Sequence, residues 1–177
     1  MTARHDVMAR IETSRSALDR LVSSLSDADL QRADVGGWSI TDHLVHVAGW
    51  ERVLLFMLQR RSRFDAVGLT GGLAAGMELD ALNEHIRTAT RDRSPGAVRR
   101  LFADAHRELL AELELHSDED LERPFSYFQP DTDPAEPHAN QPFEGWVAGN
   151  TWEHYDEHRQ AIEALLAGAG KAGEAPP

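Results

Sequence analysis

Two histidines near the C-terminal end of the chain, His154 and His158, have the spacing that points most directly to chemistry. In a helix, residues four positions apart lie about 40° from each other around the axis and one turn apart along it. The apolar residues around them recur with a helical period, and both histidines fall on the apolar face, which we expect to be buried. Two imidazoles in that place either form hydrogen bonds or bind a divalent metal ion together with a third ligand.

His46 is the best candidate for the third ligand. It lies near the start of a predicted helix from Ile40 to about Arg61, whose apolar stripe must also face the core. Three neutral imidazoles leave a fourth coordination position for water or substrate, as in a catalytic zinc site, and nickel accepts the same ligands. A His-x-x-x-His pair also arises by chance in acidic helices. The residues alone therefore leave a metal site and hydrogen-bonded structural histidines as equal alternatives.

Two further residues, Glu51 and Tyr155, are candidates for proton transfer. Glu51 lies on the inner stripe of the same helix as His46, so its carboxylate either pairs with an arginine or acts as a general acid or base. Tyr155 follows His154 directly and could line the same cavity. His43 also lies near the centre of the inner stripe, where a polar group needs a partner. We expect His106 to lie at the surface.

The elements that must position these residues are helices. Ser39 followed by Asp42 has the spacing of a capping box, and Ser94-Pro95 combines an N-cap residue with proline at the first helical position. We find no internal repeat and no strand-like alternation, so we expect an all-α bundle of long helices with one short additional helix. The predicted helices cover roughly residues 3–25, 40–61, 77–91, 95–115 and 147–166.

The segment 116–146 has no sustained period and contains five prolines, which exclude regular helix over most of its length. A connection this long in a compact domain is usually functional or disordered. Its aromatic residues predict that part of it packs onto the bundle, as a lid near the histidines. We expect one domain over residues 1–167 and a flexible C-terminal tail over 168–177, which is rich in Gly, Ala and Pro.

Composition narrows the class of partner. The 177 residues suffice for one domain with a sizeable core, and the absence of cysteine excludes disulfides, thiolate metal sites and a cysteine nucleophile. The formal net charge is −12, with 18 basic against 30 acidic residues, which makes nucleic acid an unlikely ligand. The longest apolar run, Val53 to Leu58, is too short to cross a bilayer, and no apolar segment follows the first six residues. We expect a cytoplasmic protein with no membrane partner.

A family resemblance extends this interpretation. The segment from Trp38 to Glu51 resembles the W-S-x-x-D-x-x-x-H-x-x-x-W-E motif of the DinB-like superfamily, and within it the ClbS/DfsB family is the most similar. The resemblance covers the chain from the first helix to Leu166. Two other segments also fit the ClbS/DfsB family, namely Leu82-Asn83 and Asn150-Thr151 with the following His154-Tyr155-x-x-His158.

This resemblance implies a DinB-like four-helix bundle with a metal triad formed by one histidine on the second helix and two on the last. Carried over by position, the ligands are His46, His154 and His158, holding a divalent ion, with zinc or nickel preferred. Superfamily members include thiol-dependent transferases, and the resemblance to ClbS-type members implies a role in self-protection against a reactive metabolite. We therefore expect a hydrolase or transferase that acts on a small electrophile, with Glu51 or Tyr155 assisting proton transfer. The relatives also imply that the protein forms a homodimer. The alternatives are a module that sequesters a small ligand without turnover and a purely structural bundle.

Overall fold

The computed structural model describes residues 4–70, 77–89 and 92–171. The predicted helix start at residue 3 and the end of the third predicted helix at 90–91 lie outside these ranges. Helices dominate the described part, and a single 3₁₀ turn covers Asp65–Val67. The helices are α1 (Arg4–Ser23), α2 (Asp27–Leu30), α3 (Ile40–Leu58), α4 (Leu79–Thr88), α5 (Pro95–Leu113), α6 (Asp118–Glu122), α7 (Phe125–Phe128), α8 (Glu144–Asn150) and α9 (Trp152–Lys171).

The four long helices form a bundle in which α3 packs along α5, α1 packs along α9, and α3 also contacts α9. The short α4 packs against α3 as the additional helix. Across residues 4–70, 77–89 and 92–171 there is no β-strand, only two isolated bridges. No helix in this described part is long and apolar enough to cross a membrane. The predicted all-α four-helix bundle with one short additional helix is confirmed.

Helix α3 is the centre of the structure because almost every face of it meets another element. Its apolar side chains at Leu44, Val47 and Leu54 are fully buried. Gly49 lets α4 approach closely, since a Cβ atom at this position would lie 2.4 Å from Cγ2 of Ile86. A helix packed this tightly holds its polar residues in fixed positions.

The two predicted N-caps are present. The Ser39 side chain accepts from the backbone N–H of Asp42, and the Asp42 carboxylate accepts from the backbone N–H of Ser39, which completes the capping box at the start of α3. Ser94 caps α5 by accepting from the N–H of Ala97. The first of these caps fixes the start of the helix that carries His46.

The last helix differs from the sequence prediction. A continuous helix over 147–166 was expected, but Thr151, with φ −130° and ψ −104°, separates α8 from α9. The Thr151 hydroxyl donates to the carbonyl of Val147 and stabilises this break. Helix α9 then continues to Lys171, beyond the predicted end at Leu166. Residues 172–177 lie outside the described ranges, so the division into a domain over 1–167 and a flexible tail stays a prediction.

The aromatic residues of the segment 116–146 pack onto the bundle, as predicted, whereas its role as a lid near the histidines stays a prediction. Phe125, Phe128 and Phe143 are essentially inaccessible to solvent, and the rings of Phe128 and Phe143 stack with centroids 4.0 Å apart. The two helices that lie wholly within it, α6 and α7, have five and four residues, consistent with the restriction that the prolines impose.

Candidate metal centre

Three histidines converge on one point between α3 and α9. The Nε2 atom of His154 lies 3.1 Å from Nε2 of His46 and 3.0 Å from Nε2 of His158. One ring nitrogen from each residue lies within 4.8 Å of the other two. The histidine triad predicted from the sequence is therefore present, while its occupation by a metal ion stays a proposal.

The distances between the ring nitrogens suit a divalent ion. With metal–nitrogen bonds of about 2.0–2.1 Å, two ligating nitrogens lie about 2.9 Å apart at a right angle and about 3.3 Å apart at a tetrahedral angle. Hydrogen bonds suit the arrangement less well, because Nε2 of His154 faces two nitrogens and carries at most one proton. An ion bound to all three lone pairs satisfies both contacts at once.

Burial keeps the triad in the form that binds metals. His46 and His158 are buried, and His154 is half-buried. Desolvation, reinforced by neighbouring histidines, lowers the pKa of His46 and of His154 from 6.5 to about 3 and that of His158 to about 2. The three imidazoles are neutral at pH 7, so their lone pairs are available to a cation.

A fourth histidine, His43, supports the triad. Its Nδ1 atom lies 2.8 Å from Nδ1 of His158, and both residues are buried. A His158 ring that binds a metal through Nε2 carries its proton on Nδ1, so this N–H donates and His43 accepts. Burial lowers the pKa of His43 and keeps it neutral, against the opposing effect of Asp34 and Asp42. The sequence singled out His43 as an inner polar residue in need of a partner but did not identify that partner.

The triad lines a cavity of about 640 Å³, which is the size of a small-molecule site. Besides the histidines, the cavity wall consists mainly of three indoles, two amides and two carboxylates. Three residues of α8, the helix that precedes the break at Thr151, belong to the same wall. The indoles belong to Trp38, Trp50 and Trp146, the amides to Asn83 and Asn150, and the carboxylates to Asp34 and Glu157.

Glu51 and Tyr155 lie in a different place, in a buried cluster with Arg15. The Glu51 Oε1 atom accepts from Nη1 of Arg15 at 2.6 Å and from the Tyr155 hydroxyl at 2.6 Å. Burial and the Glu51 charge raise the pKa of Tyr155 well above its usual value, so the hydroxyl keeps its proton. Neither Glu51 nor Tyr155 is among the residues that line the triad cavity. The expected arginine partner of Glu51 is thus present, Tyr155 does not line the cavity, and the proton-transfer role of both stays a prediction.

Two members of this cluster were missed or misplaced by sequence reasoning. Arg15 is only 2% exposed and also donates to the carbonyl of Phe102 at 2.7 Å. Its position on the apolar stripe of α1, four residues after Ile11, was the available signal. His106 was expected at the surface, but its Nδ1 atom lies 2.9 Å from Glu51 Oε1 and its side chain is only 15% exposed.

Three proteins of the same fold are among the solved structures that resemble this chain. An uncharacterised protein from Escherichia coli UTI89 has 13% sequence identity and a TM-score of 0.71, and the similarity covers 96% of each chain. The colibactin self-resistance protein ClbS, in complex with a dsDNA, has 15% identity and a TM-score of 0.70, over 94% of this chain and 97% of that one. DfsB, described as a sibling lethal factor precursor, has 19% identity and a TM-score of 0.69, over 96% and 98%.

No curated protein of known function matches the chain. The three structural similarities, all at low identity, establish a shared fold, and they include the two proteins after which the ClbS/DfsB family is named. A family model described as the DinB superfamily matches residues 10–162, which contain all three triad histidines. The resemblance inferred from the sequence is therefore confirmed, and the chain belongs to the DinB superfamily.

Proposed function

We propose that this protein binds a divalent metal ion through His46, His154 and His158 and acts on a small reactive electrophile as a hydrolase or transferase. The observation that carries the proposal is the convergence of three neutral imidazole nitrogens in the wall of a cavity of about 640 Å³. Catalytic metal sites combine these elements: a three-residue ligand set and an adjoining space for the reactant.

A divalent ion, zinc or nickel by the preference of imidazole ligands, supplies Lewis-acid activation of water or of the electrophile. The chain's own residues supply binding and orientation. With a metal ion on Nε2 of His158, His43 would accept a hydrogen bond from Nδ1–H of His158 and hold that ring in one tautomer. Trp50 and Asn83, linked by a hydrogen bond of 3.1 Å, form a stable part of the wall against which a substrate can pack.

The biological role that we propose is detoxification or self-protection inside the cell. It is supported by the shared fold with ClbS, whose description is that of a self-resistance protein, and with DfsB. Fold similarity is an analogy and does not transfer a substrate, so the electrophile is defined here only by its reactivity. Cytoplasmic location and assembly as a homodimer belong to the same proposal.

Metal analysis of the purified protein, followed by turnover assays, tests the proposal. We expect about one zinc or nickel ion per chain, and loss of metal and activity in the alanine variants of His46, His154 and His158. Substrates to assay are an activated cyclopropane and a thiol conjugate. His5→Ala, at an exposed position on α1, is the matched control and should keep metal and activity. Full turnover by the triple alanine variant would overturn the metal role.

The alternative is a module that sequesters the same kind of ligand without turning it over. The lining of indoles supports it equally well, because tight packing around a ligand does not require chemistry. Counting product molecules separates the two: many products per protein molecule indicate an enzyme, whereas uptake of one ligand without product indicates a binding module.

The expectation that nucleic acid is an unlikely ligand is weakened by the fact that ClbS is described in complex with a dsDNA. We keep the small molecule as the proposed ligand, because 30 acidic residues against 18 basic ones oppose binding to phosphates. Fluorescence anisotropy with a labelled duplex tests this choice. Saturable binding that weakens steeply with added salt would make DNA a ligand of this protein.

A further inference from the structure

We propose that the triad cavity selects molecules that carry a protonated amine next to a flat apolar group, and that it discriminates against anions. This inference rests on the proposed function, since it assumes that the cavity is where the small molecule binds. It adds the chemical class of that molecule, which the triad alone does not define.

The charges in the cavity wall are all negative. Asp34 and Glu157 are exposed carboxylates, and no lysine or arginine is among the described residues that line the cavity. Arg87 lies beside the Trp38 ring, and its guanidinium bonds to Glu84 at 2.7 Å and lies 3.7 Å from Asp42. The charge of Arg87 is therefore compensated by its own partners, and the two carboxylates of the wall stay available to a cationic ligand.

The indoles add a second attraction for a cation. The face of a tryptophan ring is electron-rich and attracts ammonium or guanidinium groups within about 6 Å of its centre. The Arg87 guanidinium carbon already lies 5.8 Å from the centre of the Trp38 ring, so this wall accommodates a positive charge. Trp50 and Trp146 present further aromatic surface to the same space, where a flat apolar group can pack.

The two amides have orientations that their partners determine. The Trp50 indole N–H can only donate, so the atom of Asn83 that it contacts at 3.1 Å is the oxygen, and the Asn83 NH₂ group keeps free donor capacity. The backbone carbonyl of Trp146 can only accept, so the atom of Asn150 that it contacts at 2.7 Å is the nitrogen. The Asn150 oxygen is left as an acceptor, which suits the N–H groups of an amine.

A metal ion at the triad would determine where in the cavity the amine lies. Repulsion from the ion places a protonated amine at the carboxylates of the wall instead of at the histidines. The reactive part of the same molecule is then free to lie against the triad. A ligand with an amine at one end and an electrophilic centre at the other satisfies both parts of the cavity.

The test uses the full chain, freed of metal by a chelator so that a carboxylate probe cannot bind through an ion. Binding of 5-fluorotryptamine, 5-fluoroindole and 5-fluoroindole-3-acetate is measured by ¹⁹F NMR at neutral pH. The probes share the indole ring and differ in charge. We expect the amine to bind about tenfold more tightly than the acetate, with the uncharged indole between them.

Two double variants assign the selectivity to the cavity. Asp34→Asn with Glu157→Gln keeps hydrogen-bonding groups, including the acceptor for the backbone N–H of Trp38, and should reduce the amine preference to less than about threefold. Asp6→Asn with Glu108→Gln removes the same charge from exposed positions on α1 and α5 and should keep it. Any of three results would overturn the inference. These are equal or tighter binding of the acetate, an equal loss of amine preference in both double variants, and no saturable binding of the amine at millimolar concentration.

The outcome is separable from that of the proposed function. If the metal-free protein prefers the amine but the protein never binds metal or turns over a substrate, the proposed function is contradicted and this inference is supported. A metal-loaded enzyme with measurable turnover, whose metal-free form lacks the amine preference, contradicts only the inference.

Discussion

Replacing His43 with leucine is the sharpest test of how the metal centre is built. In the metal-bound form, in which His158 carries its proton on Nδ1, the variant removes the acceptor for this N–H across a buried contact of 2.8 Å. A buried donor left without a partner costs about 1–3 kcal/mol. At 1.4 kcal/mol per factor of ten, the expected loss of metal affinity is roughly 5- to 150-fold, which brackets the effect typical of residues that support a ligand.

Competition with a chromophoric chelator measures this affinity without any assay of activity. The informative companion is His43→Asn, because the asparagine oxygen takes nearly the position of the imidazole Nδ1 atom and accepts from the same N–H. We expect this variant to recover most of the affinity that His43→Leu loses. His5→Leu, at an exposed histidine, should bind metal as the unaltered protein does.

Two results would refute the reasoning about His43. Unchanged affinity in His43→Leu would mean that the hydrogen bond does not orient His158. Equal losses in the leucine and asparagine variants would mean that His43 acts through its volume or through its unpartnered Nε2 atom. Urea unfolding of each variant, without metal, separates a weakened site from a weakened fold.

Three further predictions concern stability, measured by urea unfolding of the metal-free protein. Gly49→Ala should cost about 1–3 kcal/mol of stability, because its Cβ would lie 2.4 Å from an Ile86 side-chain atom. An unchanged urea midpoint would show that α4 can move away without loss of stability. Glu51→Gln should cost about 3 kcal/mol, because it removes the buried charge partner of Arg15 and leaves only the half-exposed Asp19 to compensate that guanidinium; metal content should not change. A loss of turnover without loss of stability would instead favour a catalytic Glu51. Stability should also fall as pH drops below about 6.5, because burial holds the folded-state pKa values of the triad histidines at about 2 to 3 while the unfolded chain takes up protons. The expected loss is at most about 1.4 kcal/mol per pH unit for each triad histidine. Equal urea midpoints at pH 7.5 and 5.5 would contradict this prediction.

The polar residues on the inner faces of the helices show where sequence reasoning works. A helical pattern places His46 and Glu51 on the inner side of α3, and the structure confirms that both are buried. The pattern does not say which neighbouring helix each side chain meets, because it records angles around one axis only. His46 meets α9, whereas Glu51 meets Arg15 of α1 and His106 of α5. One apolar stripe therefore contributes to two separate polar clusters.

The break at Thr151 shows a second limit. The apolar period continues through this position, so periodicity predicts one helix across it. The break is stabilised by the contact of the Thr151 hydroxyl with Val147 and by the packing of α8 against α3 as well as α9. Because it brings Trp146 and Asn150 to the cavity, a feature without a strong local signal determines much of the cavity wall.

The sequence by itself determined the features that depend on near neighbours: the start of α3 at Ser39, the start of α5 at Ser94, and the shared helical face of His154 and His158. Their cause lies within four residues along the chain, which is the range of capping and of helical periodicity. Only the tertiary structure decided that His46 meets His154 across 108 residues and that His43 supports His158 across 115. Those contacts depend on how far each helix is rotated and shifted against the next, and that is decided by the packing of all their side chains together.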